Sequence, residues 1–225
     1  MLVVKFRIGG SLRFLSHAQT LRVFQRACVR AGLKVQYSRG FNPRPKLSLP
    51  LPRPVGVASD DELLCLRVHK STDAQEHKCI SEQVYKGVSA QLPEGCELLS
   101  VNVAKAGASF QPCSATYVLK VRKEYLNEEL KATIESLTAS ESLNIQRQTG
   151  ARDSRLKTQD SRVKNVDVRG FLKSIVLGRN SIIVECEISP AGSIRVDEIV
   201  KLLNLDVEQL ASPIKRTRVQ WQKVL

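Results

Sequence analysis

The sequence predicts an α+β protein made of two ferredoxin-like (βαββαβ) domains, each an antiparallel sheet with helices on one face. Alternating apolar segments and segments with helical spacing follow one another in the order strand, helix, strand, strand, helix, strand, and this order occurs twice in 225 residues. Small residues and a proline between Lys105 and Pro112 suit a domain junction. We therefore predict domains at residues 1–106 and 107–225, with a single fused sheet as the alternative.

The first strand and helix have the clearest local signals. Apolar residues alternate from Leu2 to Ile8, which is typical of a strand. Ser16 and Gln19 have the spacing of a capping box, apolar residues then recur at helical spacing, and Gly32 suits a C-terminal cap. The pattern predicts a helix from about His17 to Ala31.

The remaining elements follow from the same two periodicities. In the first repeat we predict a short strand at Lys46 to Leu51, a strand at Glu62 to Val68, a helix at Asp73 to Ala90 and a strand at Cys96 to Ala104. In the second we predict strands at Ala115 to Arg122, Leu143 to Gln148, Ser181 to Ile188 and Ile214 to Trp221, and helices at Tyr125 to Leu137 and Arg195 to Asn204. A charged insertion at about 149–179 separates its middle strands and is predicted to hold a short helix around Val168 to Leu177.

Positive charge is concentrated in the first quarter of the chain. The net charge is +13, and residues 1–59 contain no Asp or Glu. Eleven basic residues lie in that stretch: Lys5, Arg7, Arg13, Arg22, Arg26, Arg30, Lys34, Arg39, Arg44, Lys46 and Arg53. A positive field focused in one region attracts polyanions.

The best candidate binding residues lie on the first helix and in the loop after it. They combine cations spaced by four on the polar helix face with two aromatic residues and an amide: Arg22, Arg26, Arg30, Tyr37, Arg39, Phe41, Asn42, Arg44 and Lys46. Cations neutralise phosphates and aromatic faces stack on unpaired bases, so this mixture indicates RNA or single-stranded nucleic acid. The alternative is a solvated basic face with Tyr37 and Phe41 in the core.

Two further basic regions are weaker candidates. The first, from Arg147 to Arg169, also contains Arg152, Arg155, Lys157, Arg162 and Lys164, but acids interrupt it. It is either a solvated loop or a second contact with the same polyanion. The second lies near the C-terminus and consists of Lys215, Arg216, Arg218 and Trp221. It extends the basic surface only in part, because successive side chains of a strand point to opposite faces and half of them should lie in the core.

Catalysis and metal binding have little support in the sequence. His17 is the one weak catalytic candidate, as a general acid/base or a phosphate ligand, but its spacing places it near the apolar helix face. His69 and His77 match no metal-binding spacing, the six cysteines form no CxxC pair, and no nucleotide-binding or hydrolase motif occurs. We therefore predict no metal and no cofactor.

No stretch approaches the roughly 20 apolar residues of a membrane span, and the N-terminus lacks the apolar core of a signal peptide. These features predict a cytoplasmic protein that does not bind membranes. The cysteines are then expected to be reduced and packed as small apolar side chains.

Three segments carry a resemblance to a known family: RFLSH at 13–17, LRVFQRACVRAGL at 21–33 and YSRGFNPRPKLSLPLPRPVGVASDDE at 37–62. The chain resembles the radical-SAM-linked protein family, a domain of unknown function that occurs fused to a radical SAM protein or encoded beside one, often near RNA-processing and ribosomal-protein genes. The resemblance implies an RNA- or ribosome-linked accessory module. That family usually has an acid two residues after the histidine, where this chain has Gln19, and this difference weakens a catalytic role for His17. A CxxxCxxC cluster motif is absent, so the resemblance makes this chain at most the partner of a radical SAM enzyme.

Three functional hypotheses follow from these patterns. The first is a non-catalytic module that binds RNA or a ribonucleoprotein and presents it to a radical SAM partner. The second is a metal-independent endoribonuclease that uses His17, by analogy with CRISPR-repeat-processing enzymes built from tandem ferredoxin-like domains. The third is a protein-interaction module whose basic groove docks on an acidic partner.

Overall fold

The computed structural model of the chain describes residues 1–68, 74–105, 107–149 and 162–224. Within these residues the protein is α+β, with four α-helices and a large, mostly antiparallel sheet. None of the described helices is both long enough and apolar enough to span a bilayer.

The strands are β1 (Leu2–Ile8), β2 (Leu47–Ser48), β3 (Ala58–Leu66), β4 (Cys96–Val103), β5 (Ser109–Lys120), β6 (Asn144–Thr149), β7 (Arg162–Asp167), β8 (Leu172–Leu177), β9 (Ser181–Ser189), β10 (Gly192–Ser193) and β11 (Lys215–Val224). The helices are α1 (His17–Arg30), α2 (Ala74–Ser89), α3 (Glu128–Ala139) and α4 (Val196–Leu202). The chain forms two compact units, Met1–Val118 with Pro213–Leu225, and Leu119–Ser212. The first unit is therefore discontinuous in sequence, and the predicted boundary at residue 106 stays a prediction.

The first unit contains a sheet in the order β5-β11-β3-β1-β4, with β2 also paired to β3. β1 is antiparallel to both β3 and β4, whereas β11 is antiparallel to β5 and parallel to β3. Residues 2–103 show the predicted strand, helix, strand, strand, helix, strand order.

Alternation along β1 places its even-numbered residues in the main core of the first unit. Leu2, Val4, Phe6 and Ile8 are all buried there and pack with residues of α1 and α2. The rings of Phe6 and Phe24 meet edge to face, with their centroids 4.6 Å apart. Burial of these side chains fixes α1 against the sheet through its apolar stripe, which leaves the opposite helix face exposed.

The start and end of α1 agree with the sequence signals. The backbone N–H of Gln19 donates to Ser16 Oγ, and the backbone N–H of Ser16 donates to Gln19 Oε1, which completes the predicted capping box. The helix ends at Arg30, and Gly32 follows with φ +67°, a conformation that glycine adopts without strain.

Arg216 forms a buried ion pair in the core of the first unit. Its guanidinium donates to Glu62 Oε1, from Nε at 3.2 Å and from Nη2, and the two residues are 0% and 3% exposed. Ser59 Oγ donates to the backbone carbonyl of Arg216. Arg216 therefore belongs to the buried half of its strand and not to the basic surface.

The second unit differs from the prediction around residue 170. The predicted helix at Val168 to Leu177 is wrong: a 3₁₀ turn at Arg169–Phe171 leads directly into β8. The segment pairs antiparallel with β9 and buries Leu172, and its β-branched residues Ile175 and Val176 suit a strand.

β6 pairs with β7 in a two-stranded sheet of its own. The described residues between α3 and α4 form three strand pairings, β6 with β7, β8 with β9 and β9 with β10, which is more than one simple repeat requires. The tandem ferredoxin-like arrangement therefore stays a prediction. Residues 150–161 of the predicted charged insertion lie outside the described residues.

Candidate nucleic-acid interface

The polar face of α1 carries three exposed arginines. Arg22, Arg26 and Arg30 alternate around the helix with the buried residues Phe24 and Cys28. A spacing of four residues places successive arginines about 6 Å apart along the helix axis. Within the described part of the chain, none of their guanidinium groups forms an ion pair. The face is therefore a row of cations without counter-charges from the described residues.

The chain after α1 folds into a narrow antiparallel hairpin, residues 36–46, which we call the tip hairpin. The backbone N–H of Lys46 donates to the carbonyl of Gln36, and that of Ser38 donates to the carbonyl of Arg44, both at 2.8 Å. Ser38 Oγ in turn accepts from the backbone N–H of Arg44 at 2.9 Å. Main-chain hydrogen bonds and one side-chain hydrogen bond thus join the two strands of the hairpin. The loop from Arg39 to Pro43 connects these strands at the far end.

The base of the tip hairpin is tied to the chain that follows β3. Gln36 N–H donates to the carbonyl of Arg67 at 2.8 Å, and Arg67 N–H donates to the carbonyl of Lys46 at 3.0 Å. Val35 and Val68 form a further β-bridge. The hairpin is anchored at its base, so the loop position is set by the sheet.

Phe41, at the end of this loop, has a fully exposed side chain, with a relative exposure of 106%. Arg39, Asn42 and Arg44 beside it are also exposed, and Tyr37 in the first arm is 45% exposed. Burial of a phenylalanine side chain stabilises a protein by about 1.5 to 3 kcal/mol, and this ring contributes nothing of that kind to the fold. The structure thus places an aromatic face in solvent between two cations.

Eight of the nine candidate binding residues are exposed, in two adjoining segments of the first unit, α1 and the tip hairpin. Lys46 is the exception, because it lies half-buried at the hairpin base. The alternative that Tyr37 and Phe41 fill the core does not agree with their exposure. Such an arrangement can neutralise phosphates along the helix and offer stacking surfaces beyond its end.

His17 is the half-buried first residue of α1, and its Nδ1 atom is buried without a hydrogen-bond partner among the described residues. Its ring faces a small cavity of about 10 Å³. The cavity is also lined by Phe6, Leu15, Thr20, Leu49, Leu51, Arg53 and Glu62. The imidazole therefore faces the packed side of the helix, and its catalytic role stays a prediction.

Arg53 has a structural role that its sequence position does not reveal. It is 9% exposed, and its guanidinium donates to five backbone carbonyls, those of Leu12, Arg13, Leu15, Pro54 and Val57. Lys5 and Arg7 are likewise engaged, with Asp61 and Glu97. Arg53 thus holds the fold together, and Lys5 and Arg7 have counter-charges. The arginines of α1 and the tip hairpin, by contrast, are exposed and form no ion pair among the described residues.

The arginines at the two ends of the second basic region, Arg147 and Arg169, have structural contacts. Arg147 binds both carboxylate oxygens of Glu198, at 2.7 and 2.8 Å, and also the carbonyl of Ser193. Burial by itself would raise the pKa of the Glu198 carboxyl, but hydrogen bonds from Arg147 and from the Arg195 backbone hold that pKa below its ordinary value. Arg169 donates to three backbone carbonyls. Arg152, Arg155 and Lys157 lie outside the described residues.

A larger surface cavity, of about 480 Å³, lies at the ends of β1, β3 and β4. Four of its five charged lining residues form ion pairs, Arg7 with Glu97 and Lys215 with Asp60, and the fifth is Glu94. Among the described residues no group of three or more His, Cys, Asp or Glu has the geometry of a metal site. With two cations and three acids, this cavity has no excess of positive charge, unlike α1 and the tip hairpin.

The buried cysteines are not activated nucleophiles. Burial raises the pKa of the Cys28 thiol to about 11 and that of the Cys96 and Cys186 thiols to about 12. A thiol with such a pKa is protonated at neutral pH, whereas nucleophilic cysteines have a lowered pKa.

Comparison with known proteins gives matches to a family model and to solved structures. No curated protein matches the chain. The crystal structure of a Cbf5-Nop10-Gar1 complex matches 97% of this chain and 48% of that chain, with 9% identity and a TM-score of 0.45. Our chain thus spans about half the length of that structure's chain. The small subunit of acetolactate synthase from Thermotoga maritima matches 100% of this chain and 96% of that chain, with 13% identity and a TM-score of 0.25.

At these TM-scores neither structure supports an argument about fold or function. The sequence comparison is more informative. A family model described as "Uncharacterized protein conserved in bacteria" (DUF2344) matches residues 1–196, most of the chain. The chain therefore belongs to this family.

Proposed function

We propose that this protein is an RNA-binding module whose interface is formed by α1 and the tip hairpin. The observation that carries the proposal is the fully exposed Phe41 between Arg39 and Arg44. An exposed aromatic ring alone would suit a protein partner as well. Flanking cations and the row of arginines on α1 favour a ligand that is both polyanionic and able to stack, and RNA is such a ligand.

Each candidate residue has a role in this proposal. The cations of α1 and the tip hairpin contact phosphates. These cations are Arg22, Arg26, Arg30, Arg39, Arg44 and Lys46. Tyr37 and Phe41 stack on unpaired bases, an interaction worth about 1 to 3 kcal/mol per base. Asn42 beside Phe41 carries the donor and acceptor needed to read a base edge.

The proposal includes an enzyme partner. The resemblance of segments 13–17, 21–33 and 37–62 to the radical-SAM-linked family supports a radical SAM protein that acts on the bound RNA or ribonucleoprotein. This chain would hold the substrate, and the partner would supply the cluster chemistry. A protein-docking role for the same surface is separated from RNA binding by the experiment below.

Salt dependence of RNA binding tests the proposal directly. The dissociation constant for a fluorescein-labelled single-stranded RNA is measured by anisotropy at several NaCl concentrations. We expect the triple variant Arg22→Gln/Arg26→Gln/Arg30→Gln to bind more weakly and to reduce the slope of log Kd against log [NaCl] by about 2, because each phosphate contact on a single strand contributes about 0.7.

Arg7→Gln is the matched control, since Arg7 is also exposed but is paired with Glu97. Its slope should equal that of the wild type. A Kd that does not depend on salt, or an equal effect of Arg7→Gln and the triple variant, would contradict the proposal.

A further inference from the structure

A further exposed aromatic side chain lies at the opposite end of α1 from the tip hairpin. Phe14 is 57% exposed, and Val55 in a separate loop is 61% exposed. The turn at Gly56 brings that loop against the ring, since a Cβ at Gly56 would lie 3.9 Å from Phe14 Cε1. We call the surface formed by Arg13, Phe14 and Val55 the Phe14 patch.

Arg13 adds a cation to this patch. Its guanidinium carbon lies 4.2 Å from the centroid of the Phe14 ring, and its Nη1 donates to the carbonyl of Gly10 at 2.7 Å. The ring and the guanidinium therefore form a cation–π pair at the surface. Aromatic rings and guanidinium planes are the two side-chain surfaces on which unpaired bases stack.

Arg53 holds the patch in place from below. Its Nη1 donates to the carbonyls of Arg13 at 2.6 Å and Val57 at 2.5 Å, and its Nη2 donates to that of Leu15 at 3.0 Å. The backbone N–H of Gly56 donates to the same Arg13 carbonyl. One buried guanidinium thus fixes both backbone segments of the patch, so that little conformational entropy is lost when a ligand binds.

The Phe14 patch and the tip hairpin lie at the two ends of one row of cations. Phe14 precedes the first residue of α1 by three positions, and the tip hairpin begins soon after the helix ends. Between them Arg22, Arg26 and Arg30 follow the exposed face of α1. A helix of 14 residues is about 21 Å long, which corresponds to about six nucleotides at 3.4 Å per stacked nucleotide.

We propose that the Phe14 patch is a second base-stacking site, and that the ligand of this protein is an unpaired RNA strand of about six nucleotides or more. Its phosphates follow the α1 arginines, one base stacks on Phe41 and another on Phe14. This inference rests on the proposed RNA-binding function and adds to it the class of RNA and the length of strand that the interface needs. A duplex is excluded as the ligand because its bases are stacked on each other.

Binding of short and long oligonucleotides tests this inference. Fluorescein-labelled oligouridylates of 3 and 12 nucleotides are titrated with wild type and with Phe14→Ala. Loss of one stacked base is expected to weaken binding of the 12-mer by about fivefold to 150-fold. Binding of the 3-mer should weaken by no more than about twofold, because a strand of that length reaches one aromatic site at a time and retains the tip hairpin.

Two variants control for causes other than stacking. Phe14→Leu keeps an apolar side chain of similar size but removes the ring, so it should bind the 12-mer as weakly as Phe14→Ala. Leu99→Ala removes another exposed apolar side chain, on β4, and should bind as wild type. Urea denaturation checks that all three variants are folded.

The possible results separate this inference from the proposed function. If wild type binds the 12-mer with the expected salt dependence and Phe14→Ala binds it equally tightly, the stacking role of the Phe14 patch is contradicted. The proposed RNA-binding function is not affected by that result. The same holds if Phe14→Leu restores full affinity, or if Phe14→Ala weakens the 3-mer and the 12-mer equally. If wild type shows no salt-dependent binding of the 12-mer, the proposed function fails, and the inference fails with it.

Discussion

Three charged side chains lie buried next to one another in the first unit: Arg53, Glu62 and Arg216. Two buried guanidinium groups can share the neighbourhood of the Glu62 carboxylate for two reasons. Backbone carbonyls accept the hydrogen bonds of Arg53, and Glu62 accepts two hydrogen bonds from Arg216. Buried charges are tolerated when they are paired and hydrogen-bonded, and one that loses its partner is costly.

The Glu62–Arg216 pair leads to a stability prediction. Glu62→Gln should lower the free energy of unfolding by about 3 to 5 kcal/mol, because it removes the carboxylate and leaves the Arg216 charge buried. Urea denaturation followed by circular dichroism measures the change. Glu97→Gln is the control, since Glu97 pairs with Arg7 at an exposed site and should cost less than about 1 kcal/mol. Equal losses in the two variants would contradict the prediction.

The buried thiols predict a loss of stability at alkaline pH. The pKa of the Cys96 thiol is about 12 in the folded protein, against an ordinary value of 9.0, because burial disfavours the thiolate. Between these two pH values the unfolded chain has released a proton that the folded protein retains, so the free energy of unfolding falls as pH rises, by about 1.4 kcal/mol per pH unit for each such thiol.

Cys96→Ala isolates this contribution. Denaturation curves at pH 9.5, 10 and 10.5 should give a slope against pH that is shallower for the variant by about 1.4 kcal/mol per unit. The quantity compared is the slope of the free energy of unfolding against pH in the variant and in the wild type. A loss of stability that is the same at every pH therefore does not affect the result. Identical slopes would show that Cys96 is not buried as a neutral thiol.

At the scale of single elements, α1 was predicted nearly to its ends, because its signals are local. The capping residues Ser16 and Gln19 and the terminal Gly32 lie within or next to the helix they delimit. The segment at residues 172–177 was predicted wrongly because its partner, β9, decides its conformation. Local sequence does not report such a pairing.

The tip hairpin depends on one backbone conformation that only glycine adopts readily. Gly40 has φ +146°, and an alanine at such an angle is strained by about 1 to 3 kcal/mol. We expect Gly40→Ala to displace the loop and weaken RNA binding several-fold. The free energy of unfolding should fall by no more than this strain, because no other atom lies within 4 Å of the added Cβ and no steric clash adds to it.

Gly170→Ala provides the comparison for this element. Gly170 is also exposed, and a Cβ added there would meet no other atom within 4 Å, but its φ is not in the positive region. RNA affinity should be unchanged in that variant. A Gly40→Ala protein with wild-type affinity would show that the loop conformation is not part of the interface.

At the scale of the whole molecule, the sequence located the basic region but not the different roles of its members. Composition identifies eleven cations and no acid in residues 1–59. Tertiary contacts decide which of these cations can contact a ligand. Arg53 donates hydrogen bonds to carbonyls and Arg7 pairs with Glu97, whereas Arg22 and Arg39 are exposed to solvent. Those partners lie far away in sequence or on the backbone, and neither is visible as a motif.

The aromatic residues illustrate the same limit. Phe41 was predicted as a stacking residue because it lies among Gly, Pro and Arg in a loop. Phe14 lies between the apolar residues Leu12 and Leu15 in sequence, yet it is 57% exposed at the end of a 3₁₀ turn, Gly10–Phe14. Exposure is a property of packing, so a short apolar segment does not report it.

The return of β11 to the first unit has a consequence for the order in which the protein folds. Arg216 reaches Glu62 across 154 positions, and β11 lies between β3 and β5 in the sheet. Closing so long a loop is entropically costly and slows folding, unless the intervening residues have already become compact. The second unit lies within that loop. Its early collapse would shorten the search that brings β11 to β5, and the first unit, although it contains the N-terminus, would then be the last to reach its native state.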